Sequence, residues 1–341
     1  MSTIVPWQIL YGAGPAASIT ATFAFGTGAI GVASNDYCWP LTNQPHYDPG
    51  QTIIDARKAI GLAVRRTGSG YEFQQGVKQP TTSWEFDANA YNLAFPLWML
   101  FQKGTTEGTG TDEFTKTYNS PTCTEGVEVE RFANVLKRMQ CGSSSTAQRI
   151  KGAIVRSITL TAESNTPLKA VIEWVGADLE TDYNAGSTTL QFDTNDPLIW
   201  GASTAGATVA GTATNIDSWS ITVSNNAVQK NYESNTVQKH ILMDFTVEGT
   251  VKIPWGAATV GGKEQIDNFM NGTDVALNFY WGASATPASS GEISIKTNAR
   301  YTGVDMSYDD EVALDLPFIG AYDGTNAAIE VVLLDGLDRG I

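Results

Sequence analysis

Residues 152–180, GAIVRSITLTAESNTPLKAVIEWVGADLE, alternate in two runs. Ile154, Ile158, Leu160 and Ala162 share one parity, and Ser157, Thr159 and Thr161 hold the other; beyond 163–167, Leu168, Ala170, Ile172 and Trp174 are in phase. Side chains alternate faces along a strand, so each run predicts a strand with one buried and one wet face. The SNTP between them is turn chemistry, because Asn tolerates tight backbone angles and Pro cannot donate in a central ladder. Residues 216–226, IDSWSITVSNN, repeat the pattern: Trp219, Ile221 and Val223 face one way, Ser218, Ser220, Thr222 and Ser224 the other. A polar loop, AVQKNYESNTVQ (227–238), leads into KHILMDFTVEGTVKIP. There Ile241, Met243, Phe245, Val247, Val251 and Ile253 are in phase and predict one long strand.

The remaining chain gives two helices and more strands. A strand over 82–86 carries Trp84 and Phe86, and Asp87 or Asn89 can cap the helix that follows, ANAYNLAFPLWMLFQKG. That helix is apolar on nearly every face over 93–101. It is too short for a bilayer and so is predicted to be buried between layers or subunits. Pro96 should kink it or mark its first turn, and Gly104 is a plausible stop. A second helix over 263–271 carries Ile266, Phe269 and Met270, with Gly272 as its C-cap. Strands are predicted over 275–281, 293–301, 312–318 and 328–334, and a first strand over 19–25. Residues 53–66 suit a helix (Ile53, Ala56, Ile60, Ala63) or a strand (Ile60, Leu62, Val64), with a strand at the end preferred; 130–139 has the same ambiguity. GSSS at 142–145 reads as flexible, and 65–80 as a long loop or hairpin tip.

Two stretches recur. SWEFDA (83–88) precedes the first helix as LMDFTVEG (242–249) precedes the second, and LKAVIEWVGAD (168–178) follows the first as VALDLPFIGAYD (312–323) follows the second. The expected fold is mainly β, with two related β-sandwich or barrel domains, each with a flanking α-helix. The divisions are an N-terminal arm and first strand (1–50), a first domain (51–185), a Gly/Ser/Thr-rich junction (186–215) and a second domain (216–341). A chain of 341 residues is long enough for two domains, and 33 glycines with only 17% charged residues suit an all-β protein with many turns.

Charge narrows the function. The net charge is −15, with no basic footprint for holding nucleic acid. Acid is concentrated at the end: Asp305, Asp309, Asp310, Glu311, Asp315, Asp323, Glu330, Asp335 and Asp338 stand against Arg339 alone. This serves solubility, or a surface that repels a polyanion. Cys38, Cys123 and Cys141 are odd in number and widely spaced, which suits reduced thiols. The uncharged first 35 residues lack a basic region before an apolar core and read as an arm and strand, or as a subunit-contact arm.

Catalytic chemistry is hard to find. His46 and His240 are the only histidines, and neither is patterned with carboxylates or thiols. No nucleophile elbow, zinc-protease or phosphate-loop motif occurs. DTND (193–196) and YDDE (308–311) lack EF-hand spacing and read as turn or solvated residues. Asn271-Gly-Thr is a glycosylation sequon that matters only in a secreted chain. No catalytic residue, metal or cofactor is expected.

The strand pairs carry a family resemblance. Gly152, Val155, Ser157 and Leu160, followed by a second strand ending Trp174-Val175-Gly176, resemble the major tail tube proteins of long-tailed (siphovirus-like) bacteriophages. So do IDSWSITVSNNAVQKNY before FTVEGTVKIP, GTDVALNFYW after a short helix, and the late ALDLPFIGAYDG. The likeness runs from about residue 50 onward. It implies a β-sandwich or barrel with a flanking helix, a fold shared with the type VI secretion tube. Subunits would form hexameric rings, or trimeric pseudo-hexameric rings where the chain is duplicated. Rings stack into a hollow tube through which DNA passes without specific binding. A long loop reaches the neighbouring ring, which makes Gln229, Lys230, Asn231, Tyr232 and Glu233, with Arg65, Arg66 and Tyr71, inter-ring candidates. Asp309, Asp310 and Glu311 become candidates for lining or flanking the lumen. The implied partners are further copies of the chain and tape-measure, tail-terminator and distal tail proteins, without membrane insertion. The place is the virion tail, assembled in the host cytoplasm. The alternatives are the inner tube of a contractile injection device, a secreted β-sandwich adhesin or carbohydrate-binding module, and, with least support, an enzyme on a β scaffold.

Overall fold

A computed structural model describes residues 8–12, 37–39, 41–43, 46–51, 53–55, 73–101, 105–108, 114–119, 132–141, 144–184, 191–192, 195–202, 205–232, 234–256, 262–308, 312–323 and 326–334. The first part of the chain forms β1 (Gln8–Gly12), β2 (Tyr37–Trp39), β3 (Ile53–Asp55), β4 (Phe73–Gln75), β5 (Thr81–Asp87), helix α1 (Ala90–Phe101), β6 (Thr105–Gly108), β7 (Phe114–Asn119), β8 (Ala133–Cys141), β9 (Ser144–Glu163), β10 (Lys169–Val175) and β11 (Asp178–Asn184). The rest forms β12 (Gln191–Phe192), β13 (Ala205–Val209), β14 (Thr212–Ala213), β15 (Ser218–Ser224), β16 (Val228–Lys230), β17 (Lys239–Ile241), β18 (Thr246–Pro254), helix α2 (Gly262–Asn271), β19 (Val275–Trp281), β20 (Ile293–Tyr301), β21 (Asp305–Tyr308), β22 (Val312–Gly320) and β23 (Ile329–Leu334). The chain is mainly β, as its alternation predicts.

The hub is β9, 20 residues long. At its centre Gly152 takes φ +56°, a left-handed conformation that costs glycine little. Up to Ala153 β9 pairs with β8 and, up to Lys151, with β11; from Ile154 onward it pairs with β10 on one edge and, from Ser157, with β15 on the other. The β9–β10 turn is the predicted SNTP. Asn165 sits at φ 60°, and the Thr166 hydroxyl donates to the Glu163 carbonyl at 2.9 Å. A continuous run of antiparallel pairings, β5·β10·β9·β15·β18·β22·β20, therefore crosses from the first half of the chain into the second.

The pairing order is the same in both halves. In the first, β5 pairs with β10, β10 with β9, and β9 with β8 and β11. In the second, β18 pairs with β22, β22 with β20, and β20 with β19 and β23. The halves also exchange strands elsewhere: β7 pairs with β23.

One face of this sheet is dry. Trp84 and Trp174 pack with ring centroids 5.2 Å apart, and Trp219 stacks on Phe279 at 4.4 Å. Helix α1 lies in this core with every residue but Tyr91 buried, and touches β9, β7 and β23. Asn89 caps it: its Oδ1 accepts the amides of Tyr91 (3.0 Å) and Asn92 (2.9 Å), and Asn92 Oδ1 accepts the Asn89 amide (2.8 Å) in return. Pro96 lies inside the helix, not in its first turn, and the helix continues to Phe101. Helix α2 ends as predicted. Gly272 has φ +62°, and the amides of Gly272 and Thr273 return to the carbonyls of Phe269 and Asn268.

Some expectations are corrected. The long strand over 239–254 is two strands, because β17 turns back to pair with β16 (Val228↔Ile241) and 242–245 leaves the ladder. Met243, in phase with the core by sequence, is 58% exposed. Met270 is likewise exposed, while Ile266 and Phe269 pack against the core. Ser144 and Ser145 belong to β9, held by Cys141 and Gln140 across the β8–β9 hairpin, so the GSSS stretch is strand there. The ambiguous 130–139 stretch is strand from Ala133 onward, and 53–55 is strand. Expectations for 19–25, 60–66 and Gly104 lie outside the described residues.

Candidate assembly and channel surfaces

The other face of the sheet is open and hydroxyl-rich. Where β9 and β15 meet, inward Leu160 and Ile221 are buried, while Thr159 and Thr222 point outward with their hydroxyls 2.9 Å apart. Ser157 donates to Glu173 at 3.2 Å. Period-two alternation forces this: once Trp219, Ile221 and Val223 enter the core, Ser218, Ser220, Thr222 and Ser224 must face out. Charges on this face are of both signs. Arg156 pairs with Glu173 at 3.3 Å, and Lys252 with Asp217 at 3.7 Å. Such a surface offers water many hydroxyl partners and places no uniform array of cations against a phosphate backbone.

The second surface is the loop between β15 and β18. Asn225 and Asn226 fix its base. Buried Asn225 donates through Nδ2 to the Val155 carbonyl (2.9 Å) and the Leu100 carbonyl (3.3 Å), and accepts the Ala227 amide. Asn226, at φ 45°, donates to the Asp244 carbonyl at 2.9 Å. Residue-type reasoning gave these asparagines no role; the signal was the Asn pair ending an alternating strand. The loop folds onto the first half of the chain. Gln229 donates to the Gly176 carbonyl at 2.6 Å, the Val237 amide to the Ala177 carbonyl at 3.2 Å, and the Lys78 amide to the Asn235 carbonyl at 2.7 Å.

The sequence-derived candidates therefore divide. Gln229 and Asn231 make contacts within the protomer, Asn231 accepting from Gln79 at 3.5 Å. Lys230 and Tyr232 are exposed, Tyr232 at 67%. The end of the 65–80 loop meets the 227–238 loop through Lys78 and Gln79, so two loops singled out separately lie together. Arg65, Arg66, Tyr71, Glu233, Asp309, Asp310 and Glu311 lie outside the described residues.

His240 is a core residue. It is 1% exposed, its Nε2 lies 2.9 Å from the Gly152 carbonyl, and burial lowers its pKa to about 4, so the ring is neutral near pH 7. His46 is exposed. Among the described residues no group of His, Cys, Asp and Glu is arranged to hold a metal, and no helix is long and apolar enough to cross a membrane.

No curated protein matches the chain. A family model described as phage tail tube protein matches residues 24–320, most of the chain. With a mainly β fold and an alternation that splits its sheet into dry and hydroxyl-bearing faces, this chain belongs to the phage tail tube protein family, a structural component of the virion tail.

Proposed function

We propose that this chain is the repeating subunit of a hollow tail tube. Copies close into rings, rings stack, and DNA passes through the lumen during ejection without chemistry at any residue. The observation that carries this reading is the open hydroxyl face of a sheet running through both halves of a tail tube family member. A polymer built from strands must cover its edges with further copies, and a polar face of mixed charge lets a polyanion slide without sticking.

The finer parts belong to the same proposal. Residues 51–185 and 216–341 are two related tail-tube-like domains joined by 186–215, a reading supported by the repeated pairing order. Trimeric rings of pseudo-sixfold shape follow if both domains occupy equivalent places; hexamers follow if they do not. The exposed Lys230 and Tyr232, with Glu233, Arg65, Arg66 and Tyr71, reach the neighbouring ring, and Asp309, Asp310 and Glu311 line or flank the lumen. Tape-measure, terminator and distal tail proteins meet the tube inside and at its ends, and assembly takes place in the host cytoplasm.

Negative-stain electron microscopy of the concentrated protein, alone and with purified tail tips as initiators, tests this. Hollow tubes or rings with a regular axial repeat support it, and rotational averages separate threefold from sixfold. Monomers that persist with tips present overturn it, and monomers that bind a glycan or calcium point to the adhesin alternative.

A further inference from the structure

The loop between β15 and β18 is a hairpin with two distinct faces. Its strands β16 and β17 pair at Val228↔Ile241, Gln229↔His240 and Lys230↔Lys239, and the Gln238 amide closes the ladder on the Lys230 carbonyl at 2.9 Å. Residues directly opposite on a ladder share a face, and their neighbours take the other. Gln229 and His240 therefore lie on one face, and Lys230 and Lys239 on the other.

The face of Gln229 and His240 is plugged into the first half of the chain. The Gln229 carboxamide donates to the Gly176 carbonyl at 2.6 Å, and His240 Nε2 lies 2.9 Å from the Gly152 carbonyl. One cross-strand pair thus meets a pair of glycine carbonyls. The two glycines mark the place where β9 changes partners and where β10 gives way to β11. They are fixed there: the Gly176 amide donates to the Pro80 carbonyl at 2.9 Å, and the Ala177 amide to the Lys151 carbonyl at 2.8 Å. A Cβ on Gly176 would stand 2.0 Å from Cγ2 of Ile150, so the seat requires glycine.

The tip is tied down as well. The Val237 amide donates to the Ala177 carbonyl at 3.2 Å, the Lys78 amide donates to the Asn235 carbonyl at 2.7 Å, and the Ser234 and Thr236 hydroxyls lie 3.0 Å apart. What remains outward is Lys230 and, at the tip, Tyr232, which is 67% exposed. On the outward face Lys230 directly opposes Lys239, in a chain of net charge −15. Like charges directly opposed weaken a ladder, so this face is not built for the hairpin's own stability. It is complementary to an acidic surface, and a further copy of this chain supplies one.

We infer that Gln229 and His240 are positioning residues: they lock the β16·β17 hairpin into the Gly152–Gly176 seat, so that Lys230 and Tyr232 are presented, already ordered, to a second copy of this protein. This inference rests on the tail tube reading and names what aims its inter-ring loop. Ordering the hairpin before contact removes an entropy cost from stacking. Where only a fraction of hairpins is seated, the apparent stacking affinity falls by that fraction. Gln229 acts through the hairpin and does not touch the neighbouring ring.

The test separates ring formation from stacking. Gln229→Ala removes one prong at a half-buried position. It is compared with the wild type by melting temperature and by electron microscopy with purified tail tips as initiators. The expected result is unchanged melting and ring yield, with a stacking constant from the tube-length distribution lowered about fivefold, the effect of losing one hydrogen bond. A second variant adds Lys78→Cys and Asn235→Cys to Gln229→Ala, which staples the hairpin where those backbones meet. Once mass spectrometry confirms the disulfide, tube lengths should return to the wild-type distribution and shorten again on reduction, with oxidised wild type as the blank.

Wild-type stacking by Gln229→Ala overturns the positioning role and leaves the tail tube reading intact. So does loss of its rings, since Gln229 would then hold the fold. So does a stapled variant that stays short, since Gln229 would then meet the neighbouring ring directly. Absence of rings from the wild type under all conditions, tail tips included, overturns the tail tube reading and the positioning role with it.

Discussion

Gly249 occupies a core-phase position of β18, between buried Val247 and Val251, and has no side chain to offer. A Cβ there would stand 2.4 Å from the Ser220 carbonyl oxygen on β15 and 2.5 Å from Cζ of Phe318 on β22. Gly249→Ala must move a ring that is 2% exposed, and overpacking of this kind costs about 1–3 kcal/mol. Urea unfolding should show the loss; an unchanged midpoint would mean that both the Phe318 ring and the β15 backbone at Ser220 can give way. His240 governs a pH response. Its folded pKa of about 4 lies below the ordinary 6.5, so the unfolded chain binds the extra proton between those values. Its contribution to stability is intact above pH 6.5 and falls as pH drops to about 4, by about 3 kcal/mol in total. His240→Gln should flatten this part of the stability curve. If both proteins lose stability equally between pH 6.5 and 4, the buried imidazole is not the cause.

Elements depend on a few polar anchors. The reciprocal cap of Asn89 and Asn92 closes the N-terminus of α1 inside the core, where water cannot replace it. Asn89→Ala should cost about 1 kcal/mol or more, measurable as a lowered melting temperature. The loop between β15 and β18 is a different kind of element. Asn225, Gln229 and Val237 hold it against the first half of the chain, while Tyr232 stands 67% exposed. A surface change at such a site leaves stability within about 0.5 kcal/mol. Tyr232→Ser should therefore melt like the wild type yet form short or unstacked assemblies by electron microscopy. Full-length tubes from this variant would remove Tyr232 from the inter-ring contact.

At the scale of the whole molecule, the continuous sheet makes a channel surface testable. Ser220 and Thr250 point outward from β15 and β18, directly paired across that ladder, so replacing them leaves the buried face untouched. A Ser220→Lys, Thr250→Lys variant places cations on the open face. Assembled tubes of this variant should retain DNA in filter binding at low salt and release it as salt rises, while wild-type tubes retain none. Equal retention by both would put this face away from the lumen.

The sequence by itself determined which residues alternate, and therefore which strands have a dry and a wet side. The β9 and β10 core runs, β15, β19, β20 and β22 were legible because a period of two is written locally, residue against neighbour. The cap, narrowed by sequence to Asp87 or Asn89, and the Gly272 stop were legible for the same reason: each acts within one helical turn. Alternation says which face a residue takes, not which strand lies beside it, since every backbone carries the same donors and acceptors. Hence the break of 239–254 into β17 and β18, the fold-back of the loop through Gln229, and the burial of α1 against β7, β9 and β23 came only from tertiary structure. So did the β9–β15 seam. Its hydroxyl face could be read in Ser157, Thr159 and Ser218–Ser224, but that these two strands meet is decided by how the halves of the chain pack, which no local pattern encodes.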